Sequence, residues 1–283
     1  MNHTPLDPSL RDAVTRRLDS VESMLPGLEK QLLRLQRGTL EIRTKTTGVD
    51  LVTQADTTSE RILVEHLNEH FPDDAIIGEE GTDQGNHEDA DVSFKWILDP
   101  IDGTTNFANR FPIWAISIGL RHGDTTVGGL VRAPGLHLRY RAVRGEGATC
   151  NGEPIRINDK TSLREGIVAT GFPYDRAKRA APLSRALENI LRKAGGVRRL
   201  GAAALDLCFL ADGRLTGYYE MGLQPWDFAA GVLIAEEAGA MLTDFEGGPL
   251  DIFKSAGVVA ANPKLHPELL ETVHPMREAT AIV

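Results

Sequence analysis

From Phe94 to Phe107 the chain reads FKWILDPIDGTTNF. The first five residues are bulky and strand-prone, so they predict a buried strand. Asp99 and Asp102 follow at once, three residues apart around Pro100. Any fold for this chain must therefore leave carboxylates at the carboxyl end of a core strand. Pro100 biases Asp99 toward extended backbone. The chain then turns through Ile101, and Asp102-Gly103-Thr104 can open a helix. The free N–H groups and dipole of a helix start favour an anion, whereas two carboxylates beside them repel one. A cation removes the conflict, because hard oxygen ligands suit Mg²⁺, which commonly bridges carboxylates and a substrate phosphate. The plainer alternative is an aspartate turn followed by a helix cap.

Other acids strengthen the metal reading. Glu79 ends the short apolar stretch AIIGEE, and Asp227 follows Pro225-Trp226 at the start of an apolar helix. Each alone reads as a cap. Four acids at the ends of core elements, Glu79, Asp99, Asp102 and Asp227, can form one cluster for two or three metals. Packed without cations they would repel and shift their pKa values upward. The eight histidines are scattered with no HExxH or HxH spacing, which argues against zinc. Neither a GxSxG elbow nor a Walker A loop is present.

The rest of the chain predicts an alternation of elements. Residues 10–37 have helical periodicity, which Pro26-Gly27 is expected to divide into two helices. TKTTGVDLVTQAD is turn-rich, and Asp56 has the look of an N-cap, with Thr57 and Glu60 at capping-box spacing. That helix should run to about His70 and stop at Phe71-Pro72. Residues 81–93 form a polar acidic connector. From 94 to 143 the pattern is a meander of strands, with Gly-Asp and Pro-Gly turns. A subdomain boundary is expected in RGEGATCNG, dividing the chain into 1–147 and 148–283. Beyond it strand and helix signals alternate, as in an α/β layer. Asn262-Pro263 should cap and begin the last helix.

With 283 residues and 41% hydrophobic content, the chain can bury one large core or two intimate ones. A net charge of −9 argues against a nucleic-acid partner bound through a broad basic face. No apolar run approaches the roughly 18 residues of a membrane span, and MNHTPLDPSLRD lacks a signal-peptide core. The two cysteines form no CxxC pair, and Cys208 sits in the apolar LDLCFLA as a buried thiol. A reduced, cytoplasmic protein is the expectation.

The motifs DLVTQAD, GEE, WILDPIDGTTNF, TGFP, RRLGAAALDLC, YYEMG and QPWDFAAG occur in that order. In this the sequence resembles the inositol monophosphatase family of Mg²⁺-dependent, lithium-sensitive sugar-phosphate phosphatases, from about Lys45 to about Asn262. The resemblance implies an α/β fold (α+β by segregation) layered αβαβα, usually a homodimer, acting on a small phosphate monoester with Mg²⁺. By motif, Glu79, Asp99, Asp102 and Asp227 correspond to the metal carboxylates, and the Ile101 carbonyl to a further ligand. Asp56 and Thr104 correspond to the pair that polarises the attacking water. Gly103 and Thr104 would offer N–H groups to the phosphate. Glu220, the loop Gly201-Ala202-Ala203 and Arg198 correspond to positions that hold substrate hydroxyls, and Lys45 to a loop lysine near the metals. Gly-Ala-Ala departs from the pattern, since many relatives carry Ser or Thr where Ala202 stands. Inositol 1-phosphate is the expected substrate. Histidinol phosphate, fructose bisphosphate and 3′-phosphoadenosine 5′-phosphate are alternatives within the fold, and a non-enzymatic binding module is the alternative outside it.

Overall fold

The computed structural model describes residues 4–44, 51–84 and 94–282. The chain begins with the long helix α1 (Pro8–Arg37), a short hairpin of β1 (Ile42–Thr44) and β2 (Leu51–Thr53), and α2 (Gln54–His70). Next come β3 (Ala75–Gly78), β4 (Asp83–Gln84), β5 (Phe94–Asp102) and the short α3 (Thr104–Ala108). The meander follows as β6 (Ala115–His122), β7 (Thr125–Ala133), β8 (Leu138–Val143), β9 (Gly147–Cys150) and β10 (Glu153–Ile155). The second half is β11 (Ile167–Thr170), α4 (Ala180–Lys193), β12 (Gly196–Arg198), α5 (Ala203–Ala211), β13 (Gly217–Met221) and α6 (Pro225–Glu237). It closes with β14 (Met241–Thr243), β15 (Gly257–Ala261), α7 (His266–Thr272) and α8 (Pro275–Thr280).

Two sheets carry the architecture. The first orders its eight strands β10-β9-β8-β7-β6-β5-β3-β4, and the second its five as β12-β11-β13-β15-β14. Alternation along the strands separates three apolar clusters. Trp96 and Leu98 of β5 face α1 and α2, whereas Ile97 faces α5 and α6. On β15, Val258 and Ala260 face α5 and α6, and Val259 and Ala261 face α4, α7 and α8. The layers are therefore α1/α2, first sheet, α5/α6, second sheet, α4/α7/α8, the αβαβα sandwich that the motifs imply. Helices α5 and α6 are buried on all sides between the sheets, which is why LDLCFLA and FAAGVLIA show no polar face. Cys208 is buried and, like Cys150, a free thiol. Among the described residues no helix is long and apolar enough to cross a membrane.

Three local expectations are corrected. Pro26 does not divide α1, which runs unbroken with Pro26 inside it. Pro26 and Gly27 are exposed, while Val14, Leu18, Val21, Leu25, Leu28 and Leu32 form one buried stripe past them. Proline on the solvent side leaves its lost hydrogen bond to water, and the packed stripe outweighs the local cost. Asp56 is not the N-cap of α2. Thr53 is, and Asp56 closes the capping box from the third helical position. Asn262 accepts from the N–H groups of Lys264 and Leu265, but this turn precedes α7, which starts at His266 and is followed by α8. If the chain is divided by its sheets, the crossing lies over 156–166, since β9 and β10 extend the first sheet through Ile155.

Candidate active site

The site is built where β5 breaks register. Asp99 pairs with Ser117 and Asp102 with Ala115, so three steps along β5 match two along β6. In a regular strand residues three apart point to opposite faces. The extra residue is a bulge that re-aims one carboxylate, so that both reach one cavity. The Asp99 side chain accepts from the Ile101 N–H at 2.9 Å and fixes the bend. Gly103 then adopts φ +89 to start α3, a conformation that favours glycine.

The acids that cap elements also line the site. Asp227 accepts from the Gln224 N–H at 2.6 Å in the capping box of α6. Asp102 reaches across to α5 and accepts from the N–H groups of Ala203 at 3.1 Å and Ala204 at 2.8 Å. Glu79 lies one residue past β3, its N–H donating to the Leu98 carbonyl at 3.2 Å. That turn is held by buried Glu60, which accepts from the N–H groups of Glu80 and Thr82 and from the Thr82 hydroxyl. Glu60 is therefore a turn anchor rather than part of a capping box.

Asp56 Oδ2 accepts from the N–H and hydroxyl of Thr53, at 2.8 and 2.6 Å. This leaves Oδ1 free to accept from the Thr104 hydroxyl at 3.0 Å. The same hydroxyl is 3.1 Å from the Ile101 carbonyl. The expected Asp56–Thr104 pair is thus formed, and it stands beside the carbonyl expected to be a ligand.

Glu79, Asp99, Ile101, Asp102, Gly103, Thr104, Gly201, Ala203, Glu220 and Asp227 all line one cavity of about 430 Å³. Ala202 does not line it. Its methyl is buried against Gly103, 3.2 Å from where a Cβ there would stand. Arg198 is also outside the lining, exposed, and donates to the carbonyl of its neighbour Val197. Arg199 lines the cavity instead. Lys45 and the connector residues 85–93 lie outside the described residues.

Burial dominates the electrostatics. It pushes Asp99 well above the usual carboxylate range, with the charges of Glu79, Asp102 and Asp227 adding to it. Asp102 rises to about 8, chiefly by burial and despite the two N–H groups of α5. Asp227 is raised well above its ordinary value by burial, against the Gln224 N–H, and then by Glu79 and Asp102. Burial also raises Asp56 against its threonine hydrogen bonds. Glu220 rises to about 7 by burial, opposed by the Tyr218 hydroxyl at 2.7 Å and by Arg199.

This donor set fits a hard divalent cation, since buried Asp99 and Asp102 and half-buried Glu79, Glu220 and Asp227 line one cavity with a single cationic side chain. Among the described residues no three acidic, histidine or cysteine side chains already close on one point as a cage.

Four contributors escape a reading by motif. Glu60 and Asn106 position backbone, the latter through donation to the carbonyls of Ile113 and Leu200. Tyr218 holds Glu220, and the two-residue spacing in YYE, which puts both on one strand face, is a signal that could have found it. Gly171 leaves the space that Glu220 fills, since a Cβ there would stand 1.8 Å from Oε1.

Comparison with known proteins agrees with this geometry. The sequence pattern described as the inositol monophosphatase family matches residues 25–278. The chain is 36% identical over 270 residues to a protein of Pasteurella multocida named "Nus factor SuhB", covering 95% of this chain and 97% of that one. It is 40% identical over 233 residues to a Synechocystis protein named "Inositol-1-monophosphatase", covering 82% and 80%. The solved structure of an IMPase from Thermotoga maritima superposes with a TM-score of 0.83 at 32% identity, covering 93% of this chain and 99% of that one.

Proposed function

The chain belongs to the inositol monophosphatase family, and from that premise we propose that it hydrolyses myo-inositol 1-phosphate to inositol and phosphate, with Mg²⁺ as its metal. The observation that supports this best is one cavity lined by four candidate metal carboxylates, Glu220 and Thr104, whose hydroxyl is held from behind by buried Asp56. Glu79, Asp99, Asp102, Asp227 and the Ile101 carbonyl would hold the metal. When bound, it supplies a water of lowered pKa and neutralises charge on the phosphoryl group.

The chain's own groups do the rest. The Thr104 hydroxyl, donating to Asp56, keeps its lone pairs for a hydrogen of the attacking water and so orients it. Burial makes Asp56 a better proton acceptor than an exposed aspartate. The Gly103–Thr104 backbone lines the cavity where N–H groups can stabilise the phosphoryl oxygens. Glu220, fixed by Tyr218, accepts from hydroxyls of the polyol. Attack on phosphorus by water needs no covalent phosphoenzyme.

Phosphate release from inositol 1-phosphate, measured after chelation and again with Mg²⁺ restored, tests the proposal. Loss and recovery are expected. Turnover that survives exhaustive chelation refutes the metal role. The relative named a Nus factor motivates a second reading, a binding protein without phosphatase activity. That reading predicts no phosphate release under any metal condition. The family resemblance also supports a homodimer, the net charge of −9 the lack of a nucleic-acid partner and the cysteine usage a cytoplasmic protein; size-exclusion chromatography with light scattering and a binding assay against RNA would check the first two.

A further inference from the structure

Among the described residues Arg199 is the only cationic side chain lining the cavity, and no step above uses it. It makes no hydrogen bond or ion pair with any of them. Its guanidinium lies across Gly201, where a Cβ would stand 2.3 Å from Nη1. Gly201 has φ +84, a conformation that favours glycine there. The Gly201 carbonyl in turn abuts Gly103, 3.0 Å from where a Cβ of Gly103 would stand. Arg199 thus rides on the loop that closes against the Gly103–Thr104 backbone.

Two acids lie within electrostatic reach of this cation. Its charge opposes the effect of burial on both Glu220 and Asp206. Asp206, fully buried in α5, has no hydrogen-bond partner for either carboxyl oxygen among the described residues. Glu220 uses Oε2 for the Tyr218 hydroxyl, and Oε1 accepts nothing from the described residues. The cavity therefore presents an open carboxylate oxygen and an unpaired guanidinium together.

We propose that Arg199 is a specificity-determining residue that, with Glu220, reads two neighbouring hydroxyls of a polyol phosphate. One hydroxyl donates to Glu220 Oε1, and the next accepts from the Arg199 guanidinium. A carboxylate can only accept and a guanidinium can only donate, whereas a hydroxyl does both. A vicinal diol satisfies the two charged groups at once. A substrate without one forgoes the charge-assisted hydrogen bond from exposed Arg199 or leaves half-buried Glu220 Oε1 without a donor. The inference rests on the phosphatase reading of the site and narrows its substrates to phosphate monoesters carrying neighbouring hydroxyls.

The test compares Arg199→Gln and Arg199→Lys with the unaltered enzyme on three substrates. Inositol 1-phosphate has neighbouring hydroxyls, glycerol 2-phosphate has hydroxyls that are not neighbours, and p-nitrophenyl phosphate has none. In Arg199→Gln the ratio of kcat/KM for inositol 1-phosphate to that for glycerol 2-phosphate should fall about tenfold, the size expected for one hydrogen bond to a charged group. The fall should be in KM, and Arg199→Lys should restore part of it. A structural role for Arg199 lowers all three substrates together, and an unchanged ratio overturns the proposal. Unaltered enzyme that releases phosphate from p-nitrophenyl phosphate but from neither polyol ester overturns the polyol reading as well. Release from none overturns the phosphatase reading itself.

Discussion

Replacing Gly171 with alanine isolates the placement of Glu220. The new methyl would stand 1.8 Å from Oε1 and 2.0 Å from Cδ of Glu220. Ordinary contact begins at 3.4 Å, so the carboxyl must retreat by about 1.6 Å, from 1.8 to 3.4 Å. The backbone of Gly171 is not left-handed, so alanine adds no conformational strain. The displaced atoms end a flexible side chain, so the cost to the fold belongs at the low end of the about 1–3 kcal/mol typical of overpacking. About 1 kcal/mol lowers the Tm of a chain this size by about 2–4 °C. Function should suffer far more, because a misplacement of about 1 Å can cost about 100-fold. The expected result is a fall of about 100-fold in kcat/KM for inositol 1-phosphate, mostly through KM, with at most about a twofold fall for p-nitrophenyl phosphate. Initial rates of phosphate release at saturating Mg²⁺, with calorimetry of the same samples, give both quantities. Equal losses on the two substrates with an intact Tm would refute the assignment of Glu220 to the substrate's hydroxyls.

Asp99→Asn should abolish turnover, and it should leave the fold intact and raise the Tm in EDTA, because it removes one of several buried like charges; near-normal turnover would reduce Asp99 to a bend residue. Stability without metal should fall as pH rises. Glu220 is lifted from 4.5 to about 7 and Asp102 from 3.8 to about 8 in the folded protein, so their protonated forms favour folding and that advantage is lost across this window. Melting in EDTA from pH 4 to 8 should show the decline, and Mg²⁺ should flatten it; a Tm that rises over the same range contradicts the buried cluster. Ca²⁺ should inhibit, since its looser and higher coordination distorts an octahedral site, and full turnover with Ca²⁺ alone would contradict that geometry. Li⁺, bound at the weaker metal position with product phosphate, should inhibit uncompetitively and less as Mg²⁺ is raised; purely competitive inhibition indifferent to Mg²⁺ would place it elsewhere.

Periodicity located most elements, because the sheets and the α5/α6 layer are built from unbroken apolar runs. It failed where a tertiary contact overrides local chemistry. Pro26 has a helix-breaking sequence, but only the buried stripe on the far side of α1 shows why the helix continues. Asp56 was legible as a capping acid and, by motif, as the partner of Thr104. Its position in the capping box depends on where the first turn of α2 begins, one turn earlier than its residue types suggest. The acids at element ends were legible because a carboxylate there is costly unless it has a partner. The bulge that unites Asp99 and Asp102 was not, since it exists only relative to β6. Arg198 and Arg199 are chemically equal in the sequence, and only the turn after β12 decides which of them meets the cavity.

Asp102 joins two roles in one side chain, as a candidate metal ligand and as acceptor for the first N–H groups of α5. Losing it would leave two buried donors unsatisfied at the start of a helix packed between both sheets, whatever became of catalysis. A descendant relieved of phosphatase chemistry would lose two backbone partners by changing Asp102, but one each by changing Asp99 or Asp227. The persistence of this aspartate in a lineage records selection for folding, and the retention of its neighbours is the better record of selection for turnover.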